Sequence, residues 1–282
     1  MAKRSAWVLI LVAVSAIAAS AQQPAEENKP GGSALEQAAA VARRLEAWRP
    51  GKSGERGVVP AIERPLLLFG DDPRNHTRGI LWGWGKGRPV AVAELWRGRA
   101  ENAPYAASLT VAGLEKIEIT ADGARKWQPA ETQVAFAPVA GASAPDAKEP
   151  GRLRQIKEIA RRFTAHEFWD PDNSRFELRL LVQPVHRYRD SDAEIQDGAL
   201  FVLAHGTNPE ALLLIEVVGP AIEKSRWQYG LVRTSNAEIH VELDGKEVWT
   251  QPRVKGSALR PEHPYYVFTL PAAAAPAPTG NP

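Results

Sequence analysis

The sequence predicts an α+β fold: a largely antiparallel β-sheet of short, hairpin-connected strands with one or two packed helices. Three observations carry this. From Gly57 onward, short runs rich in β-branched and aromatic residues alternate with turn residues. Two stretches instead carry apolar residues at helical spacing. The connections between runs are too short for the crossovers that parallel neighbours require.

The first helix is expected to start at Ser33, with Glu36 three places on in the capping-box spacing. Its stripe is Leu35, Ala38, Val41/Ala42, Leu45 and Trp48, and Pro50-Gly51 ends it. Strands are then expected at residues 62–69, 80–84, 90–96, 108–111 and 116–120. Residues 137–151, "APVAGASAPDAKEPG", have the composition of a linker or long surface loop, with one domain or two left open around it. Residues 152–167 form the second expected helix, with Leu153, Ile156, Ala160 and Phe163 on one side and Arg154, Lys157 and Arg161 on another.

Further strands follow at 176–183, 199–204, 211–218, 227–233, 238–243, 247–250 and 265–270. Residues 199–203 and 212–218 are apolar at both alternating faces, which marks strands covered on both sides. Asp244-Gly245 is a two-residue hairpin signal. No solenoid or propeller period is visible.

The run "RGILWGWGKGRP" at 78–89 is the most chemically suggestive segment. It lacks the Ser or Thr and the helix that a phosphate loop needs after its lysine, and it lacks the third glycine of a dinucleotide fingerprint. A Lys86-Gly87 turn instead sets Trp84 opposite Pro89, Gly83 opposite Val90 and Trp82 opposite Ala91. The tryptophans then fill a core, with a stacking platform for a sugar ring as the alternative.

The amino terminus reads as a signal peptide over residues 1–21: Lys3 and Arg4, an apolar run from Ala6, then Ala19-Ser20-Ala21. Residues 22–56 hold a flexible leash and the first helix, 57–270 the globular domain and 271–282 a Pro/Ala-rich tail expected to be disordered. Removing the leader's Lys3 and Arg4 leaves 33 Lys and Arg against 33 Asp and Glu. That balance carries no whole-chain footprint for nucleic acid. The absence of cysteine excludes thiol nucleophiles, thiolate metal sites and disulfides. An exported chain without a transmembrane segment after signal removal follows, periplasmic, envelope-associated or extracellular.

No covalent or metal cofactor is indicated. The densest polar cluster, His166, Glu167, Asp170 and Asp172, offers acid/base chemistry for a hydrolase, against an Asp-Pro/Asp-Asn turn as the plain alternative. It misses the calcium-loop pattern, as does the acidic stretch 190–198. The six histidines lack the helical spacing of a zinc site, and no Gly-x-Ser-x-Gly elbow occurs. Trp82, Trp84 and Trp169 are the candidates for a carbohydrate platform. The basic helix side could meet an anionic polymer or headgroups, with a solvated face as its ordinary role.

Three segments, "ILWGWGKGRPVAVAELW", "RLRQIKEIARRF" with "FELRLLVQPVHRY", and "DGALFVLAHGTNPEALLLIEV", resemble the layout of uncharacterised exported proteins of planctomycete-type bacteria, across residues 64–250. The resemblance implies export and a compact domain and brings no activity or site residue with it. The expected function is therefore a non-catalytic binding or structural module at the cell envelope, meeting an envelope polymer or a protein. A carboxylate-dependent hydrolase and a carbohydrate-binding module stand as alternatives.

Overall fold

The computed structural model describes residues 34–51, 55–71, 76–98, 100, 103–132, 134–170, 172–256 and 260–271. The expected signal peptide, Ser33 and the tail beyond Pro271 lie outside these residues.

The chain runs through α1 (Ala34–Ala42), β1 (Leu45–Pro50), β2 (Arg56–Val59), β3 (Leu67–Asp71), β4 (His76–Trp84), β5 (Ala91–Gly98), β6 (Tyr105–Val111), β7 (Glu118–Ala121), β8 (Ala124–Trp127) and β9 (Phe136–Pro138). It continues with α2 (Glu149–Ala160), β10 (Phe163–Phe168), β11 (Arg175–Leu180), β12 (His186–Asp190), β13 (Ile195–His205), β14 (Asn208–Val218), β15 (Arg226–Arg233), β16 (Glu238–Leu243), β17 (Lys246–Gln251) and β18 (Tyr265–Leu270). Every pairing among these strands is antiparallel.

The second half of the chain repeats the first. Sheet β2-β1-β7-β8 has its counterpart in β11-β10-β16-β17, and sheet β18-β6-β5-β4-β3 in β9-β15-β14-β13-β12. Registers agree residue by residue. Leu45 opposes Ala121 as Phe163 opposes Leu243, and Ala91 opposes Val111 as Ala211 opposes Arg233. Even the irregularities recur, with bulges after Phe69 and after Tyr188. The chain is thus two tandem copies of one helix-plus-β unit.

Each unit builds the same core. Ala38, Val41 and Ala42 of α1 bury against Leu45 and Ala47 of β1 and one face of β4–β6; Ile156, Ile159 and Ala160 of α2 bury against Phe163, Ala165 and β13–β15. The opposite faces of β4–β6 and β13–β15, including Leu81, Val92, Leu200, Leu212, Leu214 and Val232, pack between the units as a third cluster. That is why β13 and β14 are apolar on both faces.

In the second unit β11 pairs with β13 through Arg179–Ala204 and Leu180–Leu203, fusing its strands into one nine-stranded sheet. The first unit has only the single bridge Ala61–Trp84 at the same place. Pro60 stands where Arg179 pairs, and proline has no N–H to continue a ladder.

The ninth strands are exchanged. β9 leaves the first unit and edges the second sheet beside β15, and β18 leaves the second unit and edges the first beside β6. An arginine clasps each. Arg44 bonds both carboxylate oxygens of Asp122 (2.9 and 2.5 Å) and donates to the carbonyl of Pro271 (2.7 Å) after β18. Arg162 bonds Asp244 (3.0 and 2.6 Å) and donates to the carbonyl of Ala140 (2.6 Å) after β9. Both aspartates sit with their following glycines at positive φ, in Asp-Gly hairpin turns.

Several expectations are corrected. Both helices end earlier than their periodicity suggests, at Ala42 and Ala160, and Trp48, His166 and Glu167 lie on strands. The cause is the same twice: the inward residues Leu45/Ala47 and Phe163/Ala165 of the next strand fall where a helical stripe would continue. The β4–β5 hairpin is two residues longer than a Lys86-Gly87 turn allows, so Trp84 faces Ala91 and Trp82 faces Ala93. A shift of two preserves the faces. Residues 137–151 carry part of β9 and the start of α2. Among the described residues no helix is long and apolar enough to cross a membrane.

Candidate functional site

The duplication supplies an internal comparison, since any position can be read against its counterpart in the other unit. Most interface positions between the units are apolar in both copies. Two polar nests depart from this.

The first nest closes around Glu216 of β14, which is fully buried. Arg88 donates to both of its carboxylate oxygens (2.7 and 2.6 Å), Tyr188 donates its hydroxyl (2.7 Å) and Gln228 its amide (2.8 Å). The Arg88 guanidinium also lies 4.2 Å over the Phe136 ring. Burial would lower the Arg88 pKa, but Glu216 outweighs it and the net shift is upward. Burial and the Glu216 charge push the Tyr188 phenol well up. A buried carboxylate with all four acceptor positions taken is a strut between units.

This nest fixes the place of the glycine-rich turn. Gly87 is packed so closely on β12 that a Cβ there would stand 2.4 Å from the carbonyl oxygen of Arg189. On the other side Thr207, at the tip between β13 and β14, exchanges two hydrogen bonds with the backbone of Gly70 (3.0 and 2.8 Å). Each hairpin tip therefore docks on the edge strand of the other unit. Lys86 alone of the turn is exposed, in a polar cleft of about 550 Å³ lined by Arg49, Glu115, Arg189 and Asp190 among others.

The second nest gathers residues of β5, β6, β14 and β18. Glu94, Ser108 and Thr110 on β5 and β6, Glu210 on β14, and Thr234 are all buried. Their counterparts by register are Leu214, Gly230, Val232, Val90 and Ala112. Tyr265 of β18 joins them where the other copy has Val134. Ser108 donates to Glu94 (3.2 Å), and Asn208 donates to Glu210 (2.7 Å). The hydroxyls of Thr110 and Thr234 are buried without a hydrogen-bond partner. Arg233 spends its guanidinium on the backbone carbonyls of Ser235, Pro252 and Ala237 and lies 5.8 Å from the Tyr265 ring. Burial draws the Arg233 pKa down to about 10, against a small opposing pull from Tyr265. Burial, then the Glu94 charge, raises the Tyr265 phenol far above its ordinary value, with Arg233 opposing.

A cavity of about 80 Å³ opens among Glu94, Trp96, Asn208, Thr234, Asn236 and Tyr265. It has room for two or three water-sized groups (~30 Å³ each). The fold does not require polarity here, because its own second copy builds the same junction from Leu, Val, Gly and Ala. Buried polar groups cost stability unless satisfied.

The residues singled out from the sequence are distributed elsewhere. His166 and Glu167 are neighbours on β10 and so face opposite sides of the sheet. Glu167 is fully buried, with its carboxylate 2.7 Å from His205 Nδ1, and Trp169 and Phe176 border that imidazole. His166 stacks on His240 at 4.8 Å, and His240 contacts Glu247 (2.7 Å) and Glu238 (3.1 Å). Burial lowers the His166 pKa, helped by the Arg175 and His240 charges. Burial would also lower that of His240, but the two glutamates outweigh it and raise it.

Asp170 accepts the Ser174 amide (2.6 Å) in a turn, and Asp172 is exposed. Trp82 and Trp84 are 3% and 1% exposed in the first unit's core, and Trp169 is half-buried. Among the described residues no three His, Cys, Asp or Glu groups are placed to hold a metal ion. Glu94 and Tyr265 were missed because each sits in an ordinary strand pattern, and Thr234 because it directly follows one. The signal that exposes them was present: Ala-Arg-Arg at 42–44 and 160–162, and Asp-Gly-x-x-x-Trp at 122–127 and 244–249, mark the two copies.

No known protein family, curated protein or solved structure matches this chain.

Proposed function

We propose that this chain is an exported, non-catalytic binding module of the bacterial cell envelope, and that it takes its ligand at the second nest between the units. Export rests on the amino-terminal pattern of residues 1–21. The observation that supports binding is the contrast between the copies: Thr234, 1% exposed and lacking a hydrogen-bond partner, lines a cavity beside Glu94 where the other unit is apolar. Retained buried polarity without a structural need is the signature of a site.

Screening the purified protein against small polar solutes by thermal shift tests the reading. Stabilisation by at least one solute, lost when Glu94, Thr110 and Thr234 are replaced together by Leu, Val and Ala, supports it. An identical solute response in wild type and triple variant refutes it. Export is tested separately by mass spectrometry of the fractionated protein, with a chain beginning at Gln22 in the envelope fraction as the expected result.

A carboxylate-dependent hydrolase is the second reading, favoured by the imidazole of His205 held against the buried Glu167 carboxylate. A carboxylate that orients a histidine is a general-base arrangement. Turnover of chromogenic esters or glycosides that is abolished in His205→Ala would support it.

A further inference from the structure

We propose that two copies of this chain exchange β18, each laying it beside β6 of the other, and so form a strand-swapped homodimer. The exchange is independent of the binding reading above.

The same trade already occurs once inside the chain. β9 edges β15 and β18 edges β6, and each brings an apolar residue into a core built by the other unit. Val139, directly after β9, joins Ile156 and Phe163, and Leu270 at the end of β18 joins Val41 and Leu45. Neither unit completes its sheet from its own strands. What β6 requires is a strand of the β18 pattern, and β18 of a second copy meets it in the same way. Swapping an identical element between copies is a low-cost route to a dimer, because no new surface has to be made.

The crossing from the second unit to the first is narrow. Arg233 donates to the Pro252 carbonyl (3.0 Å), and the Val254 amide donates to the Asn236 carbonyl (2.9 Å), which holds this part of the chain on the second unit. Pro261, Glu262 and His263 are held on the first. Their carbonyls accept the Gln128 amide (3.0 Å), the Ala130 amide (2.9 Å) and the Trp127 indole N–H (2.8 Å). The crossing thus lies between Val254 and Pro261. Gly256, within it, is exposed, and nothing stands within 4 Å of where a Cβ would sit. Among the described residues no strand follows β18, so it leaves β6 without drawing another strand with it.

Every contact of β18 with the first unit exists in both forms: six register pairs with β6, the burial of Leu270 and the Arg44 bond to the Pro271 carbonyl. Shared contacts cancel from the equilibrium, which then depends on the effective concentration of the tethered strand, on the order of mM. About half of the chains should be swapped at ~1 mM protein and about 2% at ~10 μM. The shared contacts must break before strands trade places, so they set the rate instead.

The chain has no cysteine, so introduced thiols report alone. Ala106 and Thr269 oppose each other across β6 and β18, and neither is buried. Facing residues stand about 5 Å apart at Cβ, close enough for a disulfide. Purified Ala106→Cys and Thr269→Cys proteins are mixed, reduced, at about 1 mM, warmed to just below the thermal transition, cooled and oxidised. We expect a covalent dimer from the mixture and none from either variant alone. Size exclusion of the wild-type protein after the same warming should show a dimer that grows with concentration. Arg44→Met should reach the same dimer fraction severalfold sooner. The double variant, oxidised before warming, has β18 locked in its own chain and should stay monomeric.

A wild-type protein that remains monomeric at every concentration after warming overturns the proposal. A mixture that crosslinks no more than the single variants overturns it too, as does a dimer formed by the oxidised double variant, since either is joined through another surface.

Discussion

Thr110→Val tests whether one unit can serve as the control for the other. Thr110 is 2% exposed and its hydroxyl lacks a hydrogen-bond partner, while the residue at its place in the second unit is Val232. Leaving a buried hydroxyl unsatisfied costs about 1–3 kcal/mol. Exchanging it for a methyl of similar volume removes that cost and adds up to about 0.8 kcal/mol of apolar burial. Some of the gain is lost to imperfect packing, so the expected net stabilisation is about 1–2 kcal/mol. Urea unfolding should show a higher midpoint with an unchanged slope. The thermal midpoint should rise by about 2–4 °C for each kcal/mol. The converse variant Val232→Thr should lose stability by about 1–3 kcal/mol. A Thr110→Val midpoint equal to or below wild type refutes the reasoning, because it means the hydroxyl is satisfied in solution and the two junctions are not comparable.

The clasps predict local effects: Arg44→Met should speed amide exchange in β18 and not β9, and Arg162→Met the reverse, read by hydrogen exchange. Asp122 and Asp244 are held below the ordinary carboxylate range chiefly by hydrogen bonds from Arg44 and Arg162. Their contribution is complete above the usual aspartate value and is lost as pH falls through the lowered folded values, so Asp122→Asn/Asp244→Asn should flatten the acid limb of the stability profile. In an NMR titration His240 should have its midpoint above about 6.5 and His166 below it. The stability from His240 is present below that reference and lost as pH rises through its folded value; that from His166 is present above and lost as pH falls. Removing the imidazole in His240→Gln should raise the His166 midpoint. Gly198→Ala should destabilise by about 1–3 kcal/mol in chemical denaturation. Its Cβ would stand 2.4 Å from the Tyr188 ring that bonds Glu216. Gly79→Ala, against the Phe69 ring, should cost less because no hydrogen bond is displaced.

Much of the local architecture was legible in the residues. The alternation in 199–203 and 212–218 marked the doubly covered strands, and Asp244-Gly245 marked its hairpin. Tryptophans at 82 and 84 opposite small residues marked a packed face, although the register moved by two. What failed failed for a shared reason. A strand that follows a helix directly, as at Leu45 and at Phe163, keeps the apolar spacing of a helix for another turn, and nothing local says that the backbone has already extended. The acidic cluster at 166–172 looked convergent only because sequence adjacency ignores strand alternation. Glu167 finds its partner in His205, beyond two intervening strands.

By itself the sequence determined the period of each segment, the positions of the Asp-Gly turns and the absence of thiol chemistry, because these depend on residues within a few places of one another. Only the tertiary structure decided that β9 and β18 trade places, that Arg88 finds Glu216 across 128 positions, and that Glu94 shares a junction with Thr234. Those pairings are fixed by the packing of two complete units. A buried carboxylate is recognised as out of place only once the apolar residue that fills the same position in the sister unit stands beside it.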